Sequence, residues 1–530
     1  MSDKTSGSIP LTSGDIKTVA IVGAGLSGIV SAAHLLRAGM DVTVFERGDE
    51  VGGAWIYSEQ PDQDPPFPNT RPPTSPKRPW EANGAVPSPE AMSRIFAPPG
   101  PVYANMKGRG TEVAMRTTLK DWSEGTKAPI DHRDVVAYLR DIADTHQVPD
   151  KIRFRTSVDS ITRLSGGWRV QTSRLLATDS GYVQKLEAHD FDAVVVATGR
   201  YGIPRVPDVP GLAQWKARFL ARIKHTKQYR TPEPYRGKTV LVIGAHISAL
   251  DITNEIVGGG AAKVYQSARP TEVDFRGLVN NSSGHTTMEK VAIVEEFTSF
   301  SDDGLDAAAT LEDDSPIPAK VVLQDGRILD DIHHVLFATG YLASFPFLGP
   351  DLEQPLTKPQ DADGSVIVTA DAKTVHNLHE DIFYIPDPSL AFIGVTQYAS
   401  TFSLYDIQAQ FLAAVWAGRA RLPSLEVMRE EQRRRKGRVE LLPGASLNGI
   451  YLLDDFVIRR LLDWVNGEPT KHGDAAIVGP DAKWWVAFRV ERENARPVIG
   501  RLQDNYLGTY GTSWEELQSQ VLYRGYVGTE

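Results

Sequence analysis

A chain of 530 residues, 41% of them apolar, has enough to bury the cores of about two to four domains. Its net charge of −10, with only one short basic run at Arg433 to Lys436, argues against a nucleic-acid-binding surface. It has no cysteine, which excludes disulfides, thiolate metal sites and a redox-active C-x-x-C pair; its polar start is no secretory signal and no apolar run spans a bilayer, so a soluble, cytoplasmic protein is expected.

The first organised stretch is Lys17 to Gly53, KTVAIVGAGLSGIVSAAHLLRAGMDVTVFERGDEVGG. Thr18 to Val22 is an apolar, β-branched strand, Ile29 to Ala38 an apolar helix stopped by Gly39, and Val42 to Phe45 a second strand ending on Glu46. Between strand and helix, Gly23, Gly25 and Gly28 keep the G-x-G-x-x-G spacing. Gly23 permits the tight turn, Gly25 lets backbone approach a pyrophosphate, and Gly28 lets helix pack closely on strand, while the helix N-terminus faces the phosphate charge. Glu46, about 20 residues on, is suited to accept from both hydroxyls of an unphosphorylated ribose, as in FAD or NAD.

From Gln60 to Pro101 proline is too frequent for a helix or an inner strand, which predicts an ordered surface excursion or lid, with a flexible insertion without function as the alternative. Asp131 to Gln147 carries Val135, Val136, Leu139, Ile142 and Ala143 at helical spacing and predicts a core-facing helix. Strands are predicted at Ile152 to Ile161, Gly167 to Thr172 and Phe191 to Thr198, before the connector IPRVPDVPG. A second strand, loop and helix begins at Lys238 to Ile243, but its loop reads Gly244, His246, Ala249. Ala261 to Ser267 supplies the next strand; no acid stands where Glu46 stood, and Ser267 with Arg269 is suited to a 2′-phosphate, which favours NADP over NAD. A surface arginine is the plain alternative. Arg276 to Asp314, acidic from Asp302 onward, reads as an exposed insertion.

Strands return at Lys320 to Leu323, His334 to Thr339, Ile382 to Ile385 and Leu390 to Val395, followed by a helix at Leu404 to Gly418. MREEQRRRKGR reads as a helix with a solvated charged face, FVIRRLLDWV as a further helix, and Trp484 and Trp485 as packing residues. No nucleophile and base form a triad, and His333 and His334 lack ligand partners at metal spacing.

Taken together and in this order, several stretches resemble the flavin-containing monooxygenase family: GAGLSG with Glu46, GGAW at Gly52, YAN at Tyr103 to Asn105, ATGRYG at Ala197, FLARIKHTKQY at Phe219 to Tyr229, the altered second glycine loop, ATGY at Ala338 and LYDIQAQ at Leu404. The resemblance covers about Val19 to Gly418. It implies an α/β fold with two Rossmann-like dinucleotide-binding domains, the FAD domain discontinuous and the NADPH domain inserted. The implied divisions are 1–212 for the first FAD part, 213–335 for the NADPH domain, and 336–530 for the second FAD part with a C-terminal extension. FAD and NADPH are the implied cofactors, O₂ and a small organic molecule the substrates, and a 4a-hydroperoxyflavin the donor of oxygen to nitrogen, sulfur or electron-rich carbon.

The implied cofactor-binding residues are Gly23, Gly25, Leu26, Ser27, Gly28, Glu46, Gly53, Trp55, Asn105, Thr198, Gly199, Gly244, Ser248, Ser267, Arg269, Thr339, Gly340 and Gln408. Asn105 corresponds to the family's asparagine beside the isoalloxazine and His225 to its interdomain histidine; both are catalytic candidates, with a purely structural histidine as the alternative. Tyr229, where Baeyer–Villiger relatives usually carry tryptophan, leans towards heteroatom oxygenation. The departures are Ala221, His246 and Ala249 in place of glycines, His246 standing where backbone should approach the pyrophosphate. A Baeyer–Villiger oxygenase and an oxidase or non-catalytic flavin protein remain as alternatives. No metal is implied, and the assembly is open, a homodimer being one option.

Overall fold

The computed structural model describes residues 16–73, 88–178, 181–269, 287–300, 315–441, 446–467 and 477–523. Val19 to Val22 and Ala193 to Val196 are buried without polar alternation, the pattern of strands covered on both faces. They lie at the centre of a seven-stranded sheet of order Leu378–His379, Phe383–Tyr384, Leu390–Phe392, Ala193–Val196, Thr18–Val22, Asp41–Phe45, Ile152–Arg153. The last five strands are mutually parallel; the first two join as antiparallel neighbours. Helix α1 (Leu26–Arg37) follows the first glycine loop and is buried over its first ten residues.

The proline-rich stretch holds a short helix that the proline count hid, α2 (Pro89–Phe96), capped by Ser88 Oγ accepting from Ala91 N. Proline in a first turn leaves no intrahelical hydrogen bond unmade, so its presence there is not a helix breaker. Within that stretch, 74–87 lies outside the described residues. Helix α3 (His132–Thr145) is capped by Asp131 and turns Val135, Leu139 and Ile142 into the core. A meander of Thr156–Leu164, Gly167–Thr178 and Gly181–Phe191 follows. Its third strand was absent from the sequence reading because GYVQKLEAHDF is largely polar and leaves Val183 and Leu186 exposed.

The second sheet is parallel throughout, in the order Met288–Val291, Lys263–Ser267, Thr239–Ile243, His334–Phe337, Ile223–His225. Helix α4 (Leu212–Arg218) precedes it, and α5 (Ile247–Gly258) follows the second glycine loop. The sheet runs to Phe337, past the boundary drawn at 335. Met288–Val291 and Val294–Phe297 fall where an irregular insertion was predicted, the first as a strand of this sheet and the second in a meander with Val321–Leu323 and Ile328–Leu329. The acidic stretch from Asp302 to Asp314 lies outside the described residues.

The two crossings between the sheets pair with each other, Ile203–Pro204 running antiparallel to Tyr341–Leu342. A strap over this linker comes from the segment 58–64. Asp62 Oδ2 accepts from the buried Lys227 Nζ at 2.6 Å, Asp64 Oδ2 accepts from Lys216 Nζ at 2.6 Å, and Ser58 O accepts from Arg230 Nε at 2.6 Å. Lys227 Nζ also donates to Gly202 O at 2.8 Å.

Helix α6 (Thr401–Trp416) is buried from Phe402 onward, its polar Asp406, Gln408 and Gln410 included, and packs against α1. Among the described residues the helices that follow are α7 (Leu425–Glu440), α8 (Asp454–Gly467), α9 (Ala482–Thr509) and α10 (Trp514–Tyr523). α7 is the charged helix of the sequence reading, but its face is not wholly solvated. Arg435 is buried and donates to both oxygens of Asp381, at 3.1 and 2.9 Å. Arg460 of α8 holds Glu380 in the same two-pronged way. Glu380 and Asp381 form the turn between the two short antiparallel strands, with φ of 57° and 56°. Trp484 is fully buried, stacked on Phe488 with ring centres 4.8 Å apart.

Candidate functional site

The first glycine loop closes on the end of its own sheet. Gly23 has φ +106°, and a Cβ there would stand 2.7 Å from Ala197 O; a Cβ on Gly28 would stand 1.9 Å from Gly23 O. Gly25 is the N-cap of α1 and brings no side-chain cap, which leaves first-turn N–H groups for an anion. Gly53 has φ +57° and lies so close that a Cβ on it would stand 2.7 Å from Gly25 Cα, so the two glycine segments touch. Trp55 follows, half-buried and 6.1 Å from the Phe402 ring.

Glu46 fixes this loop. Its Oε2 accepts from Ala24 N and its Oε1 from Gly48 N, each at 2.7 Å. A carboxylate oxygen has two lone-pair sites, so both still have capacity for ribose hydroxyls. Leu26 and Ser27 are buried in the first turn of α1, while Thr198 and Gly199 are exposed at the sheet end. Gln408 of α6 is buried, donates through Nε2 to Thr396 Oγ1 at 3.0 Å, and leaves Oε1 without a hydrogen-bond partner. An orphaned buried acceptor, an uncapped helix start and two glycines in contact are a cradle that fits FAD. Sequence reasoning missed Gly394 and Thr396 beside it. A Cβ on Gly394, φ +104°, would meet Ser27 Oγ at 2.6 Å, and Tyr405 Oη donates to Thr396 O at 2.9 Å. A lone GVT after a strand carries no signal at sequence level.

The second loop repeats the first. Gly244 has φ +129°, and a Cβ there would stand 2.3 Å from Ala338 O, the counterpart of Gly23 against Ala197. His246 is the N-cap of α5 with φ −80° and ψ 177°, close to the −78° and −171° of Gly25. That conformation is open to any residue, so the missing glycine costs no backbone strain. The His246 ring reaches towards the other domain, 6.2 Å from Tyr398. Ala249 is fully buried and its methyl is accommodated; Ser248 is exposed in the first turn. The uncapped start of α5 and the open loop fit a second dinucleotide.

Four predicted site residues, Ser267, Thr339, Gly340 and His225, are engaged elsewhere. Ser267 is buried, its Oγ donating to Ala292 O at 2.9 Å and accepting from Val294 N at 3.2 Å, which takes it away from a 2′-phosphate. Arg269 remains exposed past the strand end, near enough to Arg205 that burial first and the Arg269 charge second lower the Arg205 guanidinium. Thr339 Oγ1 donates to Arg205 O, and Gly340 O accepts from Arg205 N at 2.8 Å, so this turn secures the linker. His225 corrects the proton-carrier expectation. It is fully buried, its Nδ1 accepts from Lys227 N at 3.1 Å, and its Nε2 lies 3.1 Å from Gly340 O, which fixes a proton on Nε2. Burial holds its pKa at about 3, so it stays neutral and ties the Lys227 turn to the second crossing at Gly340.

Asn105 is exposed between the domains. Its Nδ2 donates to Glu255 Oε1 of α5 at 2.7 Å, while its own segment is tied to α3 by the Lys107 and Asp131 bridge. Among the described residues, His379, Glu380 and Glu431 have metal-like spacing, but Glu380 is already held by Arg460.

The sequence of residues 110–385 matches the family described as pyridine nucleotide-disulphide oxidoreductase, and residues 21–72 match an NAD(P)-binding Rossmann-like domain. Over 506 residues the chain is 33% identical to the flavin-containing monooxygenase ustF2 of Aspergillus flavus, covering 91% of this chain and 98% of that protein. The chain belongs to the flavin-containing monooxygenase family. To the family member iboF of Amanita muscaria it is 28% identical over 500 residues, 87% of this chain and 90% of that one. In fold it is similar to the S-allyl-L-cysteine S-oxygenase of Allium sativum, with a TM-score of 0.63 at 22% identity over 96% and 98% of the two chains. A cyclohexanone monooxygenase from Rhodococcus superposes with a TM-score of 0.52 at 14% identity, over 85% and 98%.

This flavin-containing monooxygenase is therefore an oxidoreductase with two dinucleotide-binding domains, and its family cofactors are FAD and NADPH. Disulfide reduction, suggested by the name of the first match, needs cysteines that the chain lacks. O₂ and a small molecule are the substrates that membership brings. No helix among the described residues is long and apolar enough to cross a membrane.

Proposed function

We propose that this chain uses NADPH and O₂ to place one oxygen atom on nitrogen, sulfur or an electron-rich carbon of a small organic molecule, as a cytoplasmic enzyme that acts as a monomer or homodimer. Asn105 carries this reading. It belongs to the FAD domain yet hydrogen-bonds the helix that follows the second nucleotide loop, between the two cradles.

FAD, when bound, takes two electrons from NADPH and activates O₂, one oxygen atom going to substrate and the other leaving as water. The chain's own residues bind and orient. Glu46, Gln408 and the α1 N-terminus hold the flavin nucleotide, the α5 N-terminus holds the nicotinamide nucleotide, and Arg269 reads a 2′-phosphate. Baeyer–Villiger chemistry needs a nucleophilic, deprotonated oxygen. His225, the base candidate, is neutral with both nitrogens engaged, and Tyr229 offers a buried phenol whose pKa burial raises far above neutrality; both favour transfer to a soft nucleophile.

The test is anaerobic reduction of the purified flavoprotein by NADPH and by NADH, followed by mixing with O₂ in the presence of a thioether, a tertiary amine or a cyclic ketone. Fast reduction by NADPH with sulfoxide or N-oxide as product is expected. Ester from the ketone would move the assignment to Baeyer–Villiger chemistry, and quantitative peroxide without product would make it an oxidase.

A further inference from the structure

α5 meets the FAD domain through two carboxylates one turn apart. Asn105 Nδ2 donates to Glu255 Oε1 at 2.7 Å, and Arg109, four residues along, donates through Nε to Asp251 Oδ2 at 2.8 Å, with a second guanidinium contact to Oδ1. Glu255 is half-buried, and its Oε2 is closed off from solvent against the Tyr229 phenol. The Tyr103 ring closes that side, edge-on to Tyr229 at 5.3 Å.

An ionised carboxylate can only accept, so the Asn105 amide is obliged to turn Nδ2 towards Glu255. Its Oδ1 then remains for the cleft, where the side chain is exposed. We propose that Glu255 is a positioning residue that orients the Asn105 amide, so that Oδ1 meets the cofactor cleft as an acceptor for an N–H donor such as the carboxamide of nicotinamide. This rests on the reading of Asn105 as the residue beside both cofactors. Glu255 sits on the helix whose open N-terminus faces the nucleotide, so one rigid element sets both the phosphates and the amide. The Arg109 and Asp251 pair joins the same surfaces without Glu255, so loss of Glu255 disturbs orientation and leaves docking in place.

The experiment compares wild type, Glu255→Ala and Glu255→Gln, each loaded with FAD. NADP⁺ affinity is read from the perturbation of the flavin visible spectrum, and the ratio of sulfoxide to peroxide per NADPH is measured with methyl phenyl sulfide. In Glu255→Ala, FAD content is expected to match wild type, NADP⁺ to bind about tenfold more weakly, and peroxide to rise at the expense of sulfoxide. Glu255→Gln, which can donate as well as accept and so permits both amide orientations, is expected to fall between. Wild-type NADP⁺ affinity in Glu255→Ala overturns the assignment; if that variant fails to load FAD, unchanged affinity in Glu255→Gln overturns it. A wild-type chain that oxidises NADPH without oxygenating any thioether or amine defeats the proposed function instead, and the NADP⁺ titrations still decide the role of Glu255.

Discussion

Asp62→Ala isolates the strap over the linker. Asp62 gives the buried Lys227 ammonium its counter-charge at 2.6 Å, and Lys227 is only 3% exposed. Removing one partner of a buried pair typically costs about 3–5 kcal/mol; Asp62 keeps 21% of its side chain exposed, which places the cost near the lower end, about 3 kcal/mol. For a chain of 530 residues the unfolding entropy is about 1.1 kcal/mol/K, so Tm should fall by about 3 °C if the chain melts as one unit. The pH dependence has a sign. Burial lowers the Lys227 pKa from its ordinary 10.5, and Asp62 draws it back up. The unfolded chain therefore binds the extra proton between the folded pKa and 10.5, and stability rises with pH across that window. Without Asp62 the folded pKa drops further and the window widens downward, so the penalty is larger in mildly acidic than in alkaline buffer. Differential scanning calorimetry across that pH range measures it. Asp62→Ala with Lys227→Met should recover most of the loss, since no charge is then stranded. A Tm drop well under 1 °C, or a double variant no more stable than the single one, would refute the strap as an energetic contact.

Gly28→Ala should purify largely without flavin, because its Cβ would meet Gly23 O at 1.9 Å, a backbone clash costing about 1–3 kcal/mol or more; Gly202→Ala, with open space around its Cβ, should keep it, and flavin absorbance per chain tells them apart. Arg269→Ala should raise KM for NADPH about tenfold or more and leave KM for NADH unchanged, by steady-state kinetics. His225 is neutral when folded, with a pKa of about 3 against 6.5 unfolded, so its stabilisation is complete above pH 6.5 and is lost as pH falls towards 3. His225→Asn should accordingly lower stability at neutral pH by about 1–3 kcal/mol, flatten acid unfolding by about one proton, and leave the kinetic pH profile without a missing limb.

Both nucleotide folds were legible because each is written locally: a strand, a tight turn and a helix within about 20 residues. The spacing also gave the backbone roles of Gly23, Gly28 and Gly244, each now seen against a carbonyl oxygen. What the sequence could not show is which side chains are already engaged. Ser267 looked free beside Arg269, yet its hydroxyl secures Ala292 and the strand start at Val294, 25 and 27 positions away, and His225 spends both nitrogens on backbone. At the departures from glycine conformation decides: His246 occupies an N-cap whose backbone angles any residue adopts, and the methyl of Ala249 is accommodated. Gly181–Phe191 and Pro89–Phe96 were missed because a polar two-faced strand and a proline-led helix both look like loop until their partners are known.

The turn at Glu380 and Asp381 has a mechanical consequence. Both residues sit in the left-handed region that glycine or asparagine normally fills, and each is held there by an arginine from a different helix of the C-terminal portion. Those helices thus act as a brace for a sheet edge laid down 54 and 80 residues earlier. Trimming the chain back to the end of α6 would release two shielded anions and the twist they impose. The tail is a fastening of the flavin domain, since Leu461, Trp484 and Phe488 also share one buried core with Ile29 of α1 and Ile407 of α6.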